Sequence, residues 1–453
     1  MSRYLYSLLL MVLSPVLLCW MGLRARRAGG KWAVLGASRF GRYGKQPVQT
    51  GAIWIHAVSL GETRAAHPLI RALLDLGYSV LLTHLTATGR AEGQRAYVDE
   101  MAAGRVQQAW LPYDFPGATR RFFHHYQPAL GVLIERELWP NLVHASTQAE
   151  VPLVLASARL SDAALYRTLR VGSLMTQAYG QLARVYAQSL ADAQRLEQLG
   201  VQGVSVSGNF KFDLPLDADK AARGRAFAGQ LGRQVVAIAS TREGEDAWFI
   251  DAIKRQRPRQ GDGIETSLPV LFMLIPRHPQ RFDQAADQLR AAGLVFVRRT
   301  ELLSLGDDSS SAVSACKKAD VVLGDTLGEM PWYYAACDVA IVGGSFAPLG
   351  GQNFIEASAL GCPVIVGPHV AHFEQAVADA RAAGAAMQVE DAGRAVRQAL
   401  MWLDQPAERH QASEAGRHWV TQHRGAVSRV VHGIQSLLAA SGQAVPDQST
   451  DRP

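Results

Sequence analysis

From residue 51 onward, short apolar runs alternate with helical patterns, and this rhythm limits the possible folds more than any other feature. The runs at 51–57, 79–84, 106–111, 129–134, 152–156, 184–188 and 204–207 are continuous rather than alternating. Such runs mark strands covered on both faces. With helices between them, a parallel doubly wound sheet is the arrangement that buries every strand. A second series follows at 234–240, 269–275, 294–298, 320–323, 338–342 and 363–366. The polar stretch 209–233 has no strong strand and reads as a linker. The pattern therefore predicts two Rossmann-like α/β domains, 51–208 and 234–406, facing across a cleft. Residues 439–453 read as a flexible tail. The stretches 256–267 and 302–315 look like exposed loops.

The N-terminus adds a separate element. Tyr4 to Leu23 are twenty uncharged residues between Arg3 and Arg24. At 1.5 Å per residue, about twenty suffice for a hydrocarbon core of roughly 30 Å. Pro15 is tolerable in such a helix. A cleaved signal peptide would have a shorter apolar core and a small-residue cleavage site. Here the run ends in Trp20-Met21-Gly22-Leu23, followed by Arg24, Arg26 and Arg27. The segment 1–27 is therefore expected to be a retained transmembrane anchor, with 28–50 as its juxtamembrane flank.

The charge distribution agrees. The net charge is +6, yet residues 1–61 hold eight Lys/Arg and no acid, and the rest balances 38 basic against 40 acidic residues. Basic flanks stay cytoplasmic, which predicts a single pass of a membrane with the domains on the cytoplasmic face. Lys31, Arg39, Arg42 and Lys45 are also positioned to meet anionic lipid headgroups, at about 1 kcal/mol each. A nucleic-acid binder would spread its basic residues over the folded domain, so no nucleic acid is expected as a partner. The four cysteines, Cys19, Cys316, Cys337 and Cys362, form no C-x-x-C pair. That argues against a disulfide framework or zinc site and suits a reducing compartment.

Chemistry is expected where strands end. After 51–57 comes Ser59-Leu60-Gly61-Glu62. Its spacing is that of a capping box, but a carboxylate at the end of a buried strand is also placed to act as a base. Glu135 and Glu137 follow 129–134 as an acidic pair, or as a helix start favoured by its carboxylates and Pro140. Lys211, between Phe210 and Phe212, is either a cleft cation or a stem packed on two rings.

In the second series, Ser240 and Thr241 can cap a helix or hold a phosphate. Arg277 and His278 leave a buried strand between two prolines, and arginine offers a planar fork to phosphate oxygens. Gly328, Glu329 and Met330 form a strand-loop-helix joint. Residues 343–363, GGSFAPLGGQNFIEASALGCP, are the richest. Four glycines surround a strand end and a helix start, with Asn353 and Glu356 three apart on one helix face. A carboxylate there can accept both hydroxyls of a ribose, while the helix start favours phosphate. No Asp-x-Asp or histidine cluster suited to a metal is found.

Taken together, HAVSLGE, THLTATG, YDFPGATRRFF, ELWPNL, SARLSD, GNFKFD, STREGED, PRHPQRF, LGDTLGEM and GGSFAPLGGQNFIEASALGCPVIVGP resemble the Kdo transferases, which move 3-deoxy-D-manno-octulosonic acid (Kdo) from CMP-Kdo onto lipid A precursors. The likeness runs from the anchor to near residue 430. It implies a GT-B glycosyltransferase with the acceptor domain first and the CMP-sugar domain second, and a C-terminal helical segment within 407–438 that packs back across the cleft. By matched motif, Glu62 is the general base, and Glu137 and Lys211 support the transition state. Arg277, His278, Gly328, Glu329, Met330 and the stretch Asn353, Phe354, Ile355, Glu356 correspond to the nucleotide site. The resemblance also implies transfer with inversion, without metal or other cofactor, to a lipid acceptor such as lipid IVA at the inner membrane.

There are departures: Arg136 within Glu-Arg-Glu, Arg242 in place of a common histidine, and Leu349 and Gln352 where two histidines are frequent. These bear on donor contacts and on the number of sugars added. The alternatives are a GT-B enzyme using a UDP-sugar, or a membrane-anchored nucleotide-sugar binding protein without catalysis. The second has no use for strand-end carboxylates.

Overall fold

The computed structural model describes residues 1–27, 32–44, 48–256, 268–306 and 309–442. The chain forms two compact units, Met1–Leu214 with His423–Pro453, and Pro215–Gln422.

In the first unit seven parallel strands form one sheet: β1 Ile53–His56, β2 Val80–His84, β3 Val106–Trp110, β4 Leu130–Ile134, β5 Leu153–Ala158, β6 Arg184–Ala187 and β7 Val204–Val206. Their order is β3-β2-β1-β4-β5-β6-β7. Every residue of β1, β2, β4 and β5 is buried, as their continuous apolar runs predict. Trp54, Leu133 and Leu155 face one core, and Ile53, Ile55, Val132 and Val154 face the other. The strand order reverses between β1 and β4, so the carboxyl ends of these two strands flank the switch point where such sheets bind ligands.

The second unit repeats the plan with β8 Val235–Thr241, β9 Leu271–Pro276, β10 Phe296–Arg298, β11 Val321–Leu323, β12 Val339–Val342, β13 Val364–Val366 and β14 Ala386–Gln388. The order is β10-β11-β9-β8-β12-β13-β14, all parallel. β14 is absent from the sequence reading. It is a half-buried edge strand of three residues, defined by pairing with β13 rather than by an apolar run.

Three stretches differ from expectation. Helix Ala218–Leu231 occupies most of the expected linker. Its composition is polar, but Ala221, Gly224, Phe227 and Leu231 are buried at helical spacing. Phe227 meets Trp332 of helix Met330–Ala336 at 5.0 Å. A Cβ on Gly224 would come within 2.3 Å of the Trp332 carbonyl oxygen, so glycine permits this close crossing. The expected loop 302–315 instead holds parts of helices Arg299–Leu305 and Ser310–Lys318, which bury Leu302, Ala312, Val313 and Cys316. The C-terminal region forms two helices, Pro406–His423 and Ala426–Ala440. The latter sends Val430, Ile434 and Leu438 into the first unit's core. Residues 257–267 of the other expected loop, and 443–453 of the tail, lie outside the described residues.

Helix Arg3–Arg27 includes Pro15 and is long and apolar enough to cross a membrane. Most of its large apolar side chains are exposed. Its first turns touch the first unit. Arg3 donates to Asn141 Oδ1 at 3.2 Å, Ser7 Oγ donates to the same oxygen at 3.1 Å, and the Met1 amino group lies 3.5 Å from the Val171 carbonyl.

In the basic flank, Arg39 does not meet lipid. It is fully buried, lies 4.1 Å over the Trp110 ring, and donates to the carbonyls of Leu111, Trp32 and Leu85. The ring and carbonyls replace the water its charge would otherwise need. Arg42 remains exposed, whereas Lys31 and Lys45 lie outside the described residues.

Candidate active site

Ser59 ends the segment after β1 and caps helix Leu60–Asp75. The capping box is formed: Glu62 Oε2 accepts the Ser59 N–H at 3.0 Å, and Ser59 Oγ accepts the Glu62 N–H at 3.4 Å. The box holds Glu62 at the mouth of the switch point. Burial, then the charges of Glu137 and Glu135, push its carboxyl up to about 7. A group titrating there is half ionised near neutral pH, the condition for an efficient general base.

The two other carboxylates come from the end of β4. Glu135 adopts φ 62°, a strained backbone for a residue with a Cβ. Its N–H donates to Ala156 O and its carbonyl accepts the Arg159 N–H, which pins the turn to β5. Such strain, of order 1–3 kcal/mol, persists where the surroundings over-determine it. Glu137 accepts the Trp139 indole N–H at 3.2 Å, and burial raises its carboxyl above the usual range. Asp114 fixes the next turn by accepting the N–H groups of Asn141 and Leu142 at 3.0 and 2.7 Å.

Lys211 sits on a 3-10 turn, Phe210–Asp213, that follows β7. Asn209 caps this turn through the Lys211 N–H at 3.0 Å. Asp213 accepts the N–H groups of Gly425 and Val427, both at 2.7 Å, and so ties the turn to the start of helix Ala426–Ala440. Burial lowers the Lys211 amine, and the charges of Glu135 and Glu62 oppose that while Arg159 adds to it. Glu62, Glu135, Glu137, Lys211 and Arg159 thus act on one another in one polar cluster. Glu62, Glu137 and Lys211 are the expected site residues of this unit. Arg159 escaped the sequence reading, although it lies in SARLSD, a segment whose resemblance was noted without a role.

In the second unit the ends of β8, β9, β11 and β12 share one edge of the sheet, and β8 and β12 flank its switch point. Glu245, fully buried at the start of helix Glu245–Lys254, organises that point. Its Oε2 accepts the N–H groups of Arg242 and Gly344 at 2.8 and 2.6 Å. Its Oε1 accepts those of Phe346 and Ala347 at 2.9 and 3.0 Å. One carboxylate therefore shapes the whole glycine loop after β12. A Cβ on Gly343 would come within 2.8 Å of Thr241 Cα, so the loop closes on β8 only with glycine. Sequence reading missed Glu245, because its partners lie about a hundred residues downstream.

Several expected nucleotide-site side chains have structural work. The Thr241 hydroxyl donates to Asp246, which also pairs with Arg281, so it is committed within the protein. Glu329 accepts both Arg299 Nε at 3.2 Å and Nη2 at 3.0 Å. Phe354 and Ile355 are buried, with Phe354 stacked 5.5 Å from Trp419. What Phe354 and Ile355 can present to a ligand is backbone.

The remaining candidates stay at the surface of the sheet edge. Arg277 and His278 are half-buried beyond β9, and burial lowers the His278 imidazole. Gly328 has φ 78° and open space beside it. Met330 begins helix Met330–Ala336. Helix Ile355–Ala359 starts after Asn353, so Asn353 precedes the first turn rather than sharing it. Its amide still reaches Glu356 Oε1 at 3.4 Å, while its Oδ1 accepts the Ile355 N–H.

Residues 36–214 match the family model described as 3-Deoxy-D-manno-octulosonic-acid transferase (kdotransferase). The chain is 51% identical over 440 residues to a 3-deoxy-D-manno-octulosonic acid transferase of Bordetella pertussis, covering 97% of this chain and 100% of that one. It is 30% identical over 448 residues to the corresponding transferase of Haemophilus influenzae, covering 97% and 99%. Among solved structures, a glycosyltransferase from Rickettsia africae matches with a TM-score of 0.56 at 12% identity, over 86% of this chain and 99% of that one. A UDP-GlcNAc 2-epimerase from Neisseria meningitidis matches with a TM-score of 0.55 at 13% identity, over 85% and 100%. These two are likenesses of fold. With the two seven-stranded parallel sheets, they place the chain in the GT-B class.

Proposed function

Because the chain belongs to the family of Kdo transferases and is thus a glycosyltransferase, we propose that it moves Kdo from CMP-Kdo to a lipid A precursor, lipid IVA, with inversion and without a metal ion. The observation that carries this reading is the Glu62 carboxyl, raised to about 7 beside Glu135, Glu137 and Lys211 at the end of β1.

In this reaction the acceptor hydroxyl oxygen forms a bond to the anomeric carbon as the bond to the CMP phosphate oxygen breaks. The hydroxyl is far less acidic than any carboxyl, so Glu62 accepts its proton as the new bond forms. Backbone hydrogen bonds from Ser59 and Val58 keep Glu62 from rising further, and Lys211 sets a positive charge against Glu135 and Glu62. The second unit takes the donor. Arg277 and the backbone N–H of the Gly328 turn stabilise the charge that develops on the departing CMP. Asn353 and Glu356 hold the ribose. One displacement with one base inverts the anomeric carbon.

The test is Glu62→Gln, assayed for transfer from CMP-Kdo to lipid IVA. Loss of 10² or more with an intact fold supports the assignment, in line with the roughly 10²–10⁴ typical of a general base. Near wild-type transfer moves the base to Glu135 or Glu137. Competition by CMP but not UDP supports the donor.

The N-terminal helix anchors the enzyme at the inner membrane, where its acceptor resides. A single pass with the units on the cytoplasmic face is the arrangement the basic flank favours. One observation favours a second arrangement. Arg3 and Ser7 bond to Asn141 of the first unit, which suits a helix lying in the membrane surface with both ends on one side. Labelling of a cysteine placed at Ser2 by an impermeant reagent, from either side of the membrane, separates the two.

A further inference from the structure

A cavity of about 200 Å³ opens at the edge strand β3 of the first unit. Its walls carry Arg42 from the segment before β1, Arg90 from helix Ala87–Ala96, and His125 from the last turn of helix Pro116–Tyr126. Tyr43, Gln108 and Trp110 add polar and aromatic lining, and among the described residues no Asp or Glu lines it.

The cationic side chains are not neutralised locally. Arg90 lies 5.1 Å over the Trp110 ring, and Arg39 lies over the same ring at 4.1 Å. The indole is thus held by two guanidiniums, and a third, on exposed Arg42, stands beside them. Among the described residues, neither Arg42 nor Arg90 engages a carboxylate. His125 stacks on Tyr43 at 4.7 Å, and burial lowers its imidazole, so at neutral pH the ring can donate one hydrogen bond without adding charge. The Tyr43 hydroxyl is buried and has no partner among the described residues. Two guanidiniums in the lining, an unpartnered hydroxyl and no acid among the described residues are the chemistry of an oxyanion site, and arginine forks match tetrahedral phosphate.

The cavity is also wired to the base. Gln108 Nε2 donates to the Arg90 carbonyl at 2.8 Å and lies 2.9 Å from His84 Nε2. His84 Nδ1 lies 2.8 Å from the Ala57 carbonyl and 3.4 Å from Thr63 Oγ1. Thr63 donates to the carbonyl of Ser59, the residue that caps Glu62.

We propose that this cavity binds a phosphate group carried on a headgroup no larger than a monosaccharide. The source is either the headgroup of a membrane lipid or a soluble phosphate ester. The proposal does not depend on the identity of the transferred sugar.

Two arms separate the sources. Glycerol 3-phosphate is titrated into the full chain in detergent and followed by ³¹P NMR. Vesicles of phosphatidylcholine, with and without phosphatidic acid, are tested for binding. Arg42→Glu is the principal variant, because Arg42 is exposed and its loss leaves the fold intact; Arg90→Ala is the second, with melting temperature as control. The expected result is at least a tenfold loss of glycerol 3-phosphate affinity, or of the phosphatidic acid dependence, in Arg42→Glu. Loss confined to the first arm assigns a soluble ester, and loss confined to the second assigns a lipid. Failure of both probes to bind the wild type, or equal binding by Arg42→Glu, overturns the proposal.

Discussion

Ser59 and Glu62 satisfy each other, each side chain accepting the other's backbone N–H. A carboxylate has about four acceptor positions, so starting a helix does not exhaust Glu62. The cap fixes its position, and burial, with the neighbouring carboxylates, raises its proton affinity. Starting the helix therefore leaves Glu62 able to serve as the base proposed above.

Glu62 therefore predicts opposite pH effects on activity and stability. Transfer should rise with pH through about 7 as the base ionises. The folded carboxyl binds its proton more tightly than the unfolded one. Between the ordinary carboxylate value and about 7, the folded state then holds the extra proton, and stability falls as pH rises. Glu62→Gln should abolish transfer yet raise the melting temperature at pH 8, with no gain at pH 4. A thermal melt at both values checks this.

Lys211→Met removes the cation facing Glu62 and Glu135. Transfer should fall by roughly 10² or more. The residual activity should need a higher pH, because Glu62 loses the neighbour that favours its charged form. A pH–rate profile displaced upward separates this from simple damage to the 3-10 turn.

Glu245→Ala leaves three buried N–H groups and a part-buried one without their acceptor. The expected loss is roughly 3 kcal/mol or more, since each orphaned donor costs about 1–3 kcal/mol before relaxation. KM for the CMP-sugar should rise as the glycine loop loses its shape. Urea unfolding and steady-state kinetics measure the two.

Glu329→Gln weakens the pair with buried Arg299. The melting temperature should drop, while donor KM changes less than threefold, because that carboxylate faces Arg299 and Thr326. A tenfold rise in KM at unchanged melting temperature would return Glu329 to the donor site.

Arg39→Met tests the buried cation on Trp110. Its three carbonyl acceptors lose their donor, and stability should fall by about 2–4 kcal/mol. Binding of the chain to anionic vesicles should be unchanged, since Arg39 is fully buried.

The strands were readable because parallel strands buried on both faces are written as continuous apolar runs. Ile53–His56 and Leu130–Ile134 announce themselves in this way, and the candidate carboxylates follow them directly. β14 was not readable, because three residues at a sheet edge carry no periodicity. Helix Ala218–Leu231 was hidden by its polar face, and its buried stripe relies on alanine and glycine. Arg39 and Glu245 were missed for another reason. Their roles are set by partners distant in sequence, and a buried arginine or glutamate looks like a solvated one until those partners are known.

The order of synthesis matters for a chain built this way. The second unit is continuous, Pro215–Gln422, whereas the first is finished by helix Ala426–Ala440. On the ribosome, Pro215–Gln422 can therefore complete its core before the part made earliest does. Until that helix emerges, the core that contains Tyr186 and Phe210 lacks Val430, Ile434 and Leu438. The half of the molecule that carries Glu62 and Lys211 is thus begun first and completed last. Its acquisition of activity should be the final folding event of the nascent chain.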